Sequence, residues 1–190
     1  SNLPDNNIYI ICDNTFASPY NQTPLFNGAD VVIHSSTKYL GGHSDLIGGA
    51  IIVKDNEKLA DKIKFLQNAI GSIPSPFDCY MLIRSIKTLA VRMEKHNSNG
   101  MEIAKFLNSH DKIKKVFYPG LETDPNHKIA KKQMKGFGGI ISAEIDGDIN
   151  DTNKFLENIE IFTLAESLGG VESLIEHPGI MTHASIDKNI

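Results

Sequence analysis

Two short runs of apolar and β-branched residues flank a glycine-rich segment that contains a single lysine. This arrangement constrains the fold more than any other part of the sequence. The runs cover residues 29–33 and 49–53, and each has the length of a buried strand. The segment between them carries Lys38, several hydroxyl side chains and little side-chain bulk. We therefore predict a ligand site between two strands at this point, and not a surface turn.

The residues next to Lys38 indicate which ligand would suit the site. Lys38 directly follows Ser35, Ser36 and Thr37. An amine can form a Schiff base with an aldehyde, and hydroxyl groups can donate hydrogen bonds to a phosphate, so the combination suits pyridoxal phosphate. The alternative is a solvated loop lysine, because most lysines are exposed. The flanking strands favour the site.

Asp13 is a second candidate, because it follows the continuous apolar run of residues 7–12. Such a run is typical of a parallel strand that is covered on both faces. In open α/β sheets, ligands bind at the carboxyl ends of the strands, where Asp13 would lie. The alternative is an aspartate that only begins an Asx turn.

Composition excludes several classes of function. The net charge is −4 and there is no basic run, which argues against a nucleic-acid partner. No apolar run approaches the ~18 residues of a membrane span. The two cysteines, Cys12 and Cys79, follow no disulfide or metal-binding pattern, so a cytoplasmic location is expected.

Two other kinds of site were weighed against the lysine site. A metal site could draw on Asp13, His34, His43 and Asp45, but their spacing matches no metal motif, so no metal is predicted. A dinucleotide site needs the pattern Gly-x-Gly-x-x-Gly directly after a strand, which the sequence lacks. Hydride chemistry is therefore not expected.

The order of predicted elements indicates an α/β fold with two parts. With 41% hydrophobic residues, 190 residues can bury one core and a smaller second one. Helical spacing of apolar residues continues over residues 77–110, which is longer than an ordinary globular helix. We predict that this helix joins the carboxyl-terminal portion of a large domain, residues 1–88, to an incomplete small α/β domain, residues 89–190. The larger part would contain a mainly parallel sheet between helices.

Three shorter elements are predicted from local signals. Asn56 is expected to cap the helix that follows it, and Asp151 to cap a helix over residues 150–158. The apolar stretch at residues 136–145 predicts a strand that begins with glycines.

Several separated motifs together carry a resemblance to a known family. They are residues 13–20 (DNTFASPY), 35–45 (SSTKYLGGHSD), 165–170 (AESLGG) and 181–183 (MTH). In these motifs the sequence resembles the cysteine and methionine metabolism family of pyridoxal-phosphate enzymes, and in particular the branch that cleaves cystathionine at Cγ. The similarity extends over nearly the whole chain. It implies a fold of type I, like that of aspartate aminotransferase, with a homotetrameric assembly.

The resemblance also implies roles for individual residues. Lys38 would be the catalytic residue and would bind pyridoxal 5'-phosphate covalently. Asp13 would pair with the pyridine nitrogen, and Ser35 and Thr37 would hold the phosphate.

The substrate implied by the resemblance is a small amino acid. The reaction would be elimination at Cγ of L-cystathionine, giving cysteine, 2-oxobutanoate and ammonia, with Glu166 and Ser167 in contact with the substrate. Cystathionine synthesis and methionine cleavage remain open as alternatives. Members of the family are longer on both sides, so the sequence is expected to be part of a longer chain. The non-enzymatic alternative is a fragment that only binds the cofactor or only takes part in assembly.

Overall fold

The computed structural model describes residues 8–186, and within this range the chain forms seven strands and six α-helices. The ends that were expected to be cut, residues 1–7 and 187–190, lie outside the described residues. The strands are β1 Ile11–Asp13, β2 Val31–Ser35, β3 Gly49–Val53, β4 Ile113–Phe117, β5 Ser142–Ile145, β6 Thr163–Leu164 and β7 Leu174–Ile175. The helices are α1 Ser18–Asn21, α2 Glu57–Ile70, α3 Pro76–Ile86, α4 Leu89–Asn108, α5 His127–Gln133 and α6 Ile149–Glu157.

The first three strands form one sheet in the order β1-β2-β3. β1 pairs with β2 in parallel, and Asp13 lies opposite Ile33. β2 pairs with β3 in antiparallel, so that Ser35 lies opposite Gly49. The sequence predicts a mainly parallel sheet, and the three strands described here form one parallel and one antiparallel pair. Residues 36–48 connect β2 to β3 and contain one short helical turn, Ser36–Leu40, but no α-helix of the kind that usually forms a parallel crossover.

The smaller part of the chain contains two further pairs of strands. β4 pairs with β5 in antiparallel, and β6 pairs with β7 in parallel. The strand predicted over residues 136–145 is restricted to β5. Its first residues instead form a loop, in which the backbone N–H of Gly138 donates to the side chain of Asn97 at 2.8 Å.

The long helix predicted over residues 77–110 is in fact two helices, α3 and α4. They are separated at Lys87 and Thr88, where Thr88 has φ −105° and ψ 4°. Both the backbone N–H and the hydroxyl of Thr88 donate to the carbonyl of Ser85, at 3.1 Å each. These short-range bonds end α3. The break fits the division into residues 1–88 and 89–190, which we retain as a proposal.

One of the two predicted helix caps is observed and the other is displaced. Asn56 caps α2, because its side chain accepts from the backbone N–H of Leu59 at 3.0 Å. α6 is capped by Asp148 and not by Asp151. Asp148 accepts from two N–H groups of the first turn, and Asp151 bonds back to the N–H of Asp148, which completes a capping box. Asp151 thus has the second role in the box.

Two apolar clusters lie on opposite ends of α4. The first joins α4 to the turn after β2 and consists of Tyr39, Leu40, Leu89 and Met93. The second joins α4 to β4 and the following turn, and consists of Ala104, Val116, Tyr118 and Leu121. Because α4 contributes to both clusters, it connects the lysine-bearing sheet to the smaller part of the chain.

Two negative findings apply to the described residues. No helix among residues 8–186 combines the length and the apolar character that a membrane span requires. In the same range, no three histidine, cysteine or acidic side chains are grouped so that they could hold a metal ion.

Candidate active site

A cavity of about 420 Å³ lies at the carboxyl ends of β1 and β2. Three of the predicted site residues, Asp13, Ser35 and Lys38, line it together. The other lining residues come mainly from the turn after β1. They are Cys12, Asn14, Thr15, Phe16, Ala17 and Gln22. The volume lies within the ~300–1,000 Å³ range of small-molecule sites.

The strand register explains why two of these residues come together. Asp13 ends β1 opposite Ile33, and Ser35 lies two residues further along β2. Side chains two residues apart in a strand project from the same face of the sheet. Asp13 and Ser35 therefore lie on the same side of the parallel pair.

Lys38 lies in a single π-helical turn, Ser36–Leu40, where the sequence predicted a plain loop. Its backbone leaves the helical region, with φ −88° and ψ −128°. The turn is closed by two hydrogen bonds, from the N–H of Gly41 to the carbonyl of Ser36 at 2.8 Å and from the N–H of Gly42 to the carbonyl of Lys38 at 2.7 Å. Single π-helical turns are frequent at functional sites.

Thr15 controls the charge and the position of Asp13, and the sequence did not single it out. The backbone N–H of Thr15 donates to Oδ1 of Asp13 at 3.0 Å. Hydrogen bonds from the Thr15 side chain and backbone lower the pKa of the Asp13 carboxyl, and nearby His34 lowers this pKa further, against an opposing effect of burial. Asp13 is therefore ionised at neutral pH and presents a negative charge to the cavity.

Thr15 also links the two strands that form the site. Its hydroxyl oxygen accepts a hydrogen bond from the backbone N–H of Ser35 at 2.8 Å. The only signal in the sequence is the Asp-x-Thr pattern of residues 13–15, which also describes an ordinary Asx turn. The bond to Ser35 joins residues 20 positions apart, and no local pattern predicts it.

The other predicted site residues do not line this cavity. The hydroxyl of Thr37 accepts from the N–H of Gly48 at 3.1 Å and lies 3.4 Å from the carbonyl of the same residue, as its donor. Glu166 is exposed and Ser167 is half-buried. The roles predicted for Thr37, Glu166 and Ser167 stay predictions.

The segment that follows Ser167 nevertheless packs against the turn that carries Lys38. A Cβ atom at Gly169 would lie 2.9 Å from the backbone nitrogen of Tyr39 and 3.1 Å from the carbonyl carbon of Lys38. The backbone N–H of Val171 donates to the carbonyl of Gly42 at 3.0 Å. Glu166 and Ser167 therefore belong to a segment that is in contact with the lysine turn.

The polar groups of the residues that line the cavity fit pyridoxal phosphate. An amine suits the aldehyde, an ionised carboxylate suits a protonated pyridine nitrogen, and a hydroxyl suits a phosphate oxygen. Lys38, Asp13 and Ser35 provide these three groups around one cavity. An α/β chain with this arrangement at the carboxyl ends of its strands is of the class that binds pyridoxal phosphate with fold type I.

The comparison with protein families gives the same assignment more narrowly. Residues 3–190 match the family described as "Cys/Met metabolism PLP-dependent enzyme". The chain belongs to this family. The predictions of the family, of the α/β fold class and of pyridoxal phosphate as cofactor are thereby confirmed.

Individual relatives carry different reaction names. The chain is 60% identical over 184 residues to a cystathionine beta-lyase of Coxiella burnetii, which covers 97% of this chain and 48% of the relative. It is 55% identical to a cystathionine gamma-lyase of Dictyostelium discoideum, which covers 93% of this chain and 46% of the relative. The chain thus spans about half the length of the curated relatives that it matches.

Solved structures show the same similarity in three dimensions. The chain superimposes on the crystal structure of cystathionine gamma synthase from Xanthomonas oryzae pv. oryzae in complex with aminoacrylate and cysteine, with a TM-score of 0.93 and 45% identity. The match covers 96% of this chain and 47% of that one. The three relatives share the family, and they do not share one reaction.

Proposed function

We propose that the protein containing this chain catalyses γ-elimination of L-cystathionine, which yields cysteine, 2-oxobutanoate and ammonia. One observation carries the proposal: Lys38, Asp13 and Ser35 line a single cavity in a member of a family whose relatives include proteins named cystathionine lyase and cystathionine gamma synthase. The enzyme would be a pyridoxal-phosphate-dependent carbon–sulfur lyase like cystathionine γ-lyase.

Three residues of the cavity, and Thr37 outside it, have defined parts in this proposal. Lys38 would bind the cofactor covalently through Nζ, and Asp13 would hold the ring nitrogen with its ionised carboxylate. Ser35 and Thr37 would hold the phosphate with their hydroxyl groups. When bound, pyridoxal phosphate supplies an electron sink that stabilises negative charge next to the amino-acid Cα.

Lys38 would also transfer protons. The proposal is supported by its place among the residues that line the cavity, the space that a substrate would occupy. Once substrate has displaced Lys38, the neutral amine would take a proton from Cα and pass it on, and would then take a proton from Cβ. Cysteine would leave from Cγ as a thiolate that takes up a proton. Water finally releases ammonia and 2-oxobutanoate, which balances the reaction.

Glu166 and Ser167 are proposed to contact the substrate. They precede Gly169, whose backbone lies against the peptide between Lys38 and Tyr39. A carboxylate at Glu166 would attract the distal ammonium of cystathionine, a group that methionine lacks. Glu166 is therefore proposed to favour cystathionine over methionine.

Elimination at Cβ is a second candidate, because the relative that is 60% identical is named a cystathionine beta-lyase. The two reactions differ in their products. Cleavage at Cγ gives cysteine and 2-oxobutanoate, whereas cleavage at Cβ gives homocysteine and pyruvate. Chromatographic identification of the oxoacid formed from cystathionine by the intact protein separates the two candidates.

The same assay tests the alternatives kept from the sequence. Incubation with an acylated homoserine and cysteine would reveal cystathionine synthesis, and incubation with methionine would reveal methionine cleavage. Predominant release of 2-oxobutanoate from cystathionine is the expected result. Predominant release of pyruvate, or turnover of acylated homoserine alone, would contradict the proposal.

The assignment of Lys38 is tested by substitution. Lys38→Ala should abolish both turnover and the borohydride-reducible link between protein and cofactor. Lys58→Ala, which removes an exposed lysine of α2, is the matched control and should leave both unchanged. A reducible adduct that persists in Lys38→Ala would contradict the assignment.

Assembly as a homotetramer and a cytoplasmic location stay predictions.

A further inference from the structure

Arg92 lies in the first turn of α4, and its side chain is buried, with 9% of the residue exposed. Its guanidinium uses all three nitrogens as donors. Nη1 donates to the carbonyl of Tyr39 at 2.7 Å. Nη2 donates to the carbonyl of Ser85 at 3.0 Å, and Nε to the hydroxyl of Thr88 at 3.1 Å. One side chain thus joins the break between α3 and α4 to the residue that follows Lys38.

All three acceptors of Arg92 are neutral. Among residues 8–186, Arg92 makes no ion pair with a carboxylate. A buried charge is costly unless it is paired, and an apolar side chain of similar volume is often no less stable at such a position. Packing alone therefore does not account for an arginine here. The directed hydrogen bonds of the guanidinium do, since no apolar side chain can make them.

The contact with the lysine turn is close and specific. Gly42 has φ +68°, and a Cβ atom at this residue would collide with Nη1 of Arg92. The backbone N–H of Gly42 in turn donates to the carbonyl of Lys38 at 2.7 Å. The guanidinium therefore occupies the space that glycine leaves free at residue 42, next to the carbonyl of Tyr39.

We propose that Arg92 is a positioning residue, which holds the carbonyl of Tyr39 and thereby fixes the non-helical backbone of Lys38 so that the amine stays directed into the cavity. This inference rests on the proposed role of Lys38. Without Arg92, the carbonyl of Tyr39 would lose its donor, and the π-helical turn could relax toward a regular helix. The amine would then sample several positions. A small misplacement of a reacting group can slow its reaction by large factors.

The test uses the intact protein, freed of cofactor and then mixed with pyridoxal phosphate. The rate of formation of the covalent link is followed by visible absorption, and the orientation of the bound ring by visible circular dichroism. Arg92→Met should slow link formation by about tenfold or more, as expected for loss of a charge-assisted hydrogen bond, and should weaken the dichroism band. Arg92→Lys, which keeps a cation that can reach one acceptor, should restore part of the rate.

Two controls separate positioning from general stability. Arg84→Met removes an exposed arginine of α3 and should behave like the wild type. Val116→Ala creates a cavity in the second apolar cluster, far from Lys38, and should lower the melting temperature without changing the rate or the dichroism. If Arg92→Met does not fold, the comparison of Arg92→Gln with Arg92→Lys takes its place.

The inference is overturned if Arg92→Met forms the link at the wild-type rate with wild-type dichroism. It is also overturned if the changes match those of Val116→Ala at an equal loss of melting temperature. Failure of the underlying assignment looks different. In that case, borohydride trapping of the wild-type protein followed by peptide mapping would place the cofactor on a residue other than Lys38.

Discussion

Addition of one methyl group at Gly169 should displace the peptide between Lys38 and Tyr39. Gly169 has φ +78°, and a Cβ atom there would lie 2.9 Å from the backbone nitrogen of Tyr39 and 3.2 Å from its ring carbon Cδ1. Contacts of this length to backbone atoms are repulsive, so Gly169→Ala requires one of the two segments to move. The segment that moves carries either Lys38 or the residues proposed to contact the substrate.

The magnitude follows from two separate costs. An alanine in the left-handed region costs about 1–2 kcal/mol relative to glycine. Overpacking against the backbone of Tyr39 adds about 1–3 kcal/mol. Gly71 provides a control that has the backbone cost without the overpacking cost. It has φ +77°, and no atom lies within 4 Å of the position of its Cβ. Gly71→Ala should therefore show the first cost alone, and the two variants should differ by about 1–3 kcal/mol.

The assay has a stability readout and a site readout. Urea unfolding of both variants gives the free energies of unfolding, and visible absorption of the bound cofactor reports on Lys38. Gly169→Ala should lose more stability than Gly71→Ala and should also shift the absorption band or lower the turnover number. Equal losses of stability together with an unchanged cofactor spectrum would refute the close contact at Lys38.

Three further substitutions test the charged groups of the site. Asp13→Asn keeps the shape of the side chain but removes its charge, and turnover should fall by roughly 10²–10³-fold. Turnover near that of the wild type would show that Asp13 is only a turn residue. Thr15→Val removes a hydroxyl that lowers the pKa of Asp13, so this pKa should rise. The pH midpoint at which acid releases the cofactor should then move to higher pH. A midpoint that does not move would contradict the link between Thr15 and Asp13. Glu166→Val should lower kcat/KM for cystathionine and raise it for methionine, so that the ratio of the two values changes by about tenfold. An equal response of both substrates would show that Glu166 does not distinguish them.

The part of the site that is local in sequence could be predicted. Lys38 lies three residues after the last residue of a strand, and Asp13 ends one, so the pattern of apolar runs was sufficient to place both near the carboxyl ends of strands. Ser35 was placed by the same strand. The cavity joins these three residues because two neighbouring strands end at the same edge.

Features that depend on distant contacts could not be read from the sequence. From the sequence alone, Thr15 is an ordinary turn residue and Arg92 an ordinary cation on a helix surface. Their bonds to Ser35 and to Tyr39 are visible only in the structure. The direction of β3 is likewise not encoded in its apolar pattern, which is compatible with either pairing.

The break between α3 and α4 was missed for a different reason. Apolar residues keep helical spacing across Lys87 and Thr88, so the pattern contains no signal to stop. Where α3 ends, the carbonyl of Ser85 accepts from the hydroxyl of Thr88 and from Nη2 of Arg92. Threonine competes for helix carbonyls in many helices without ending them, so Thr88 alone is no stop signal in the sequence. The bond from Arg92 joins residues seven positions apart, and no local pattern predicts it.

The contacts that fasten the turn around Lys38 also set the order in which the site can form. They come from residues 53, 100 and 128 positions further along the chain, in the pairs Tyr39 with Arg92, Tyr39 with Gly139, and Ser44 with Glu172. Contacts at such separations form late, because the intervening loops must close first. At ~5–20 residues per second of synthesis, Ser44 leaves the ribosome roughly 6–26 s before Glu172 does. During that interval the lysine exists without the contacts that fix it, so a growing chain should capture its cofactor only after the later segments have folded onto the turn.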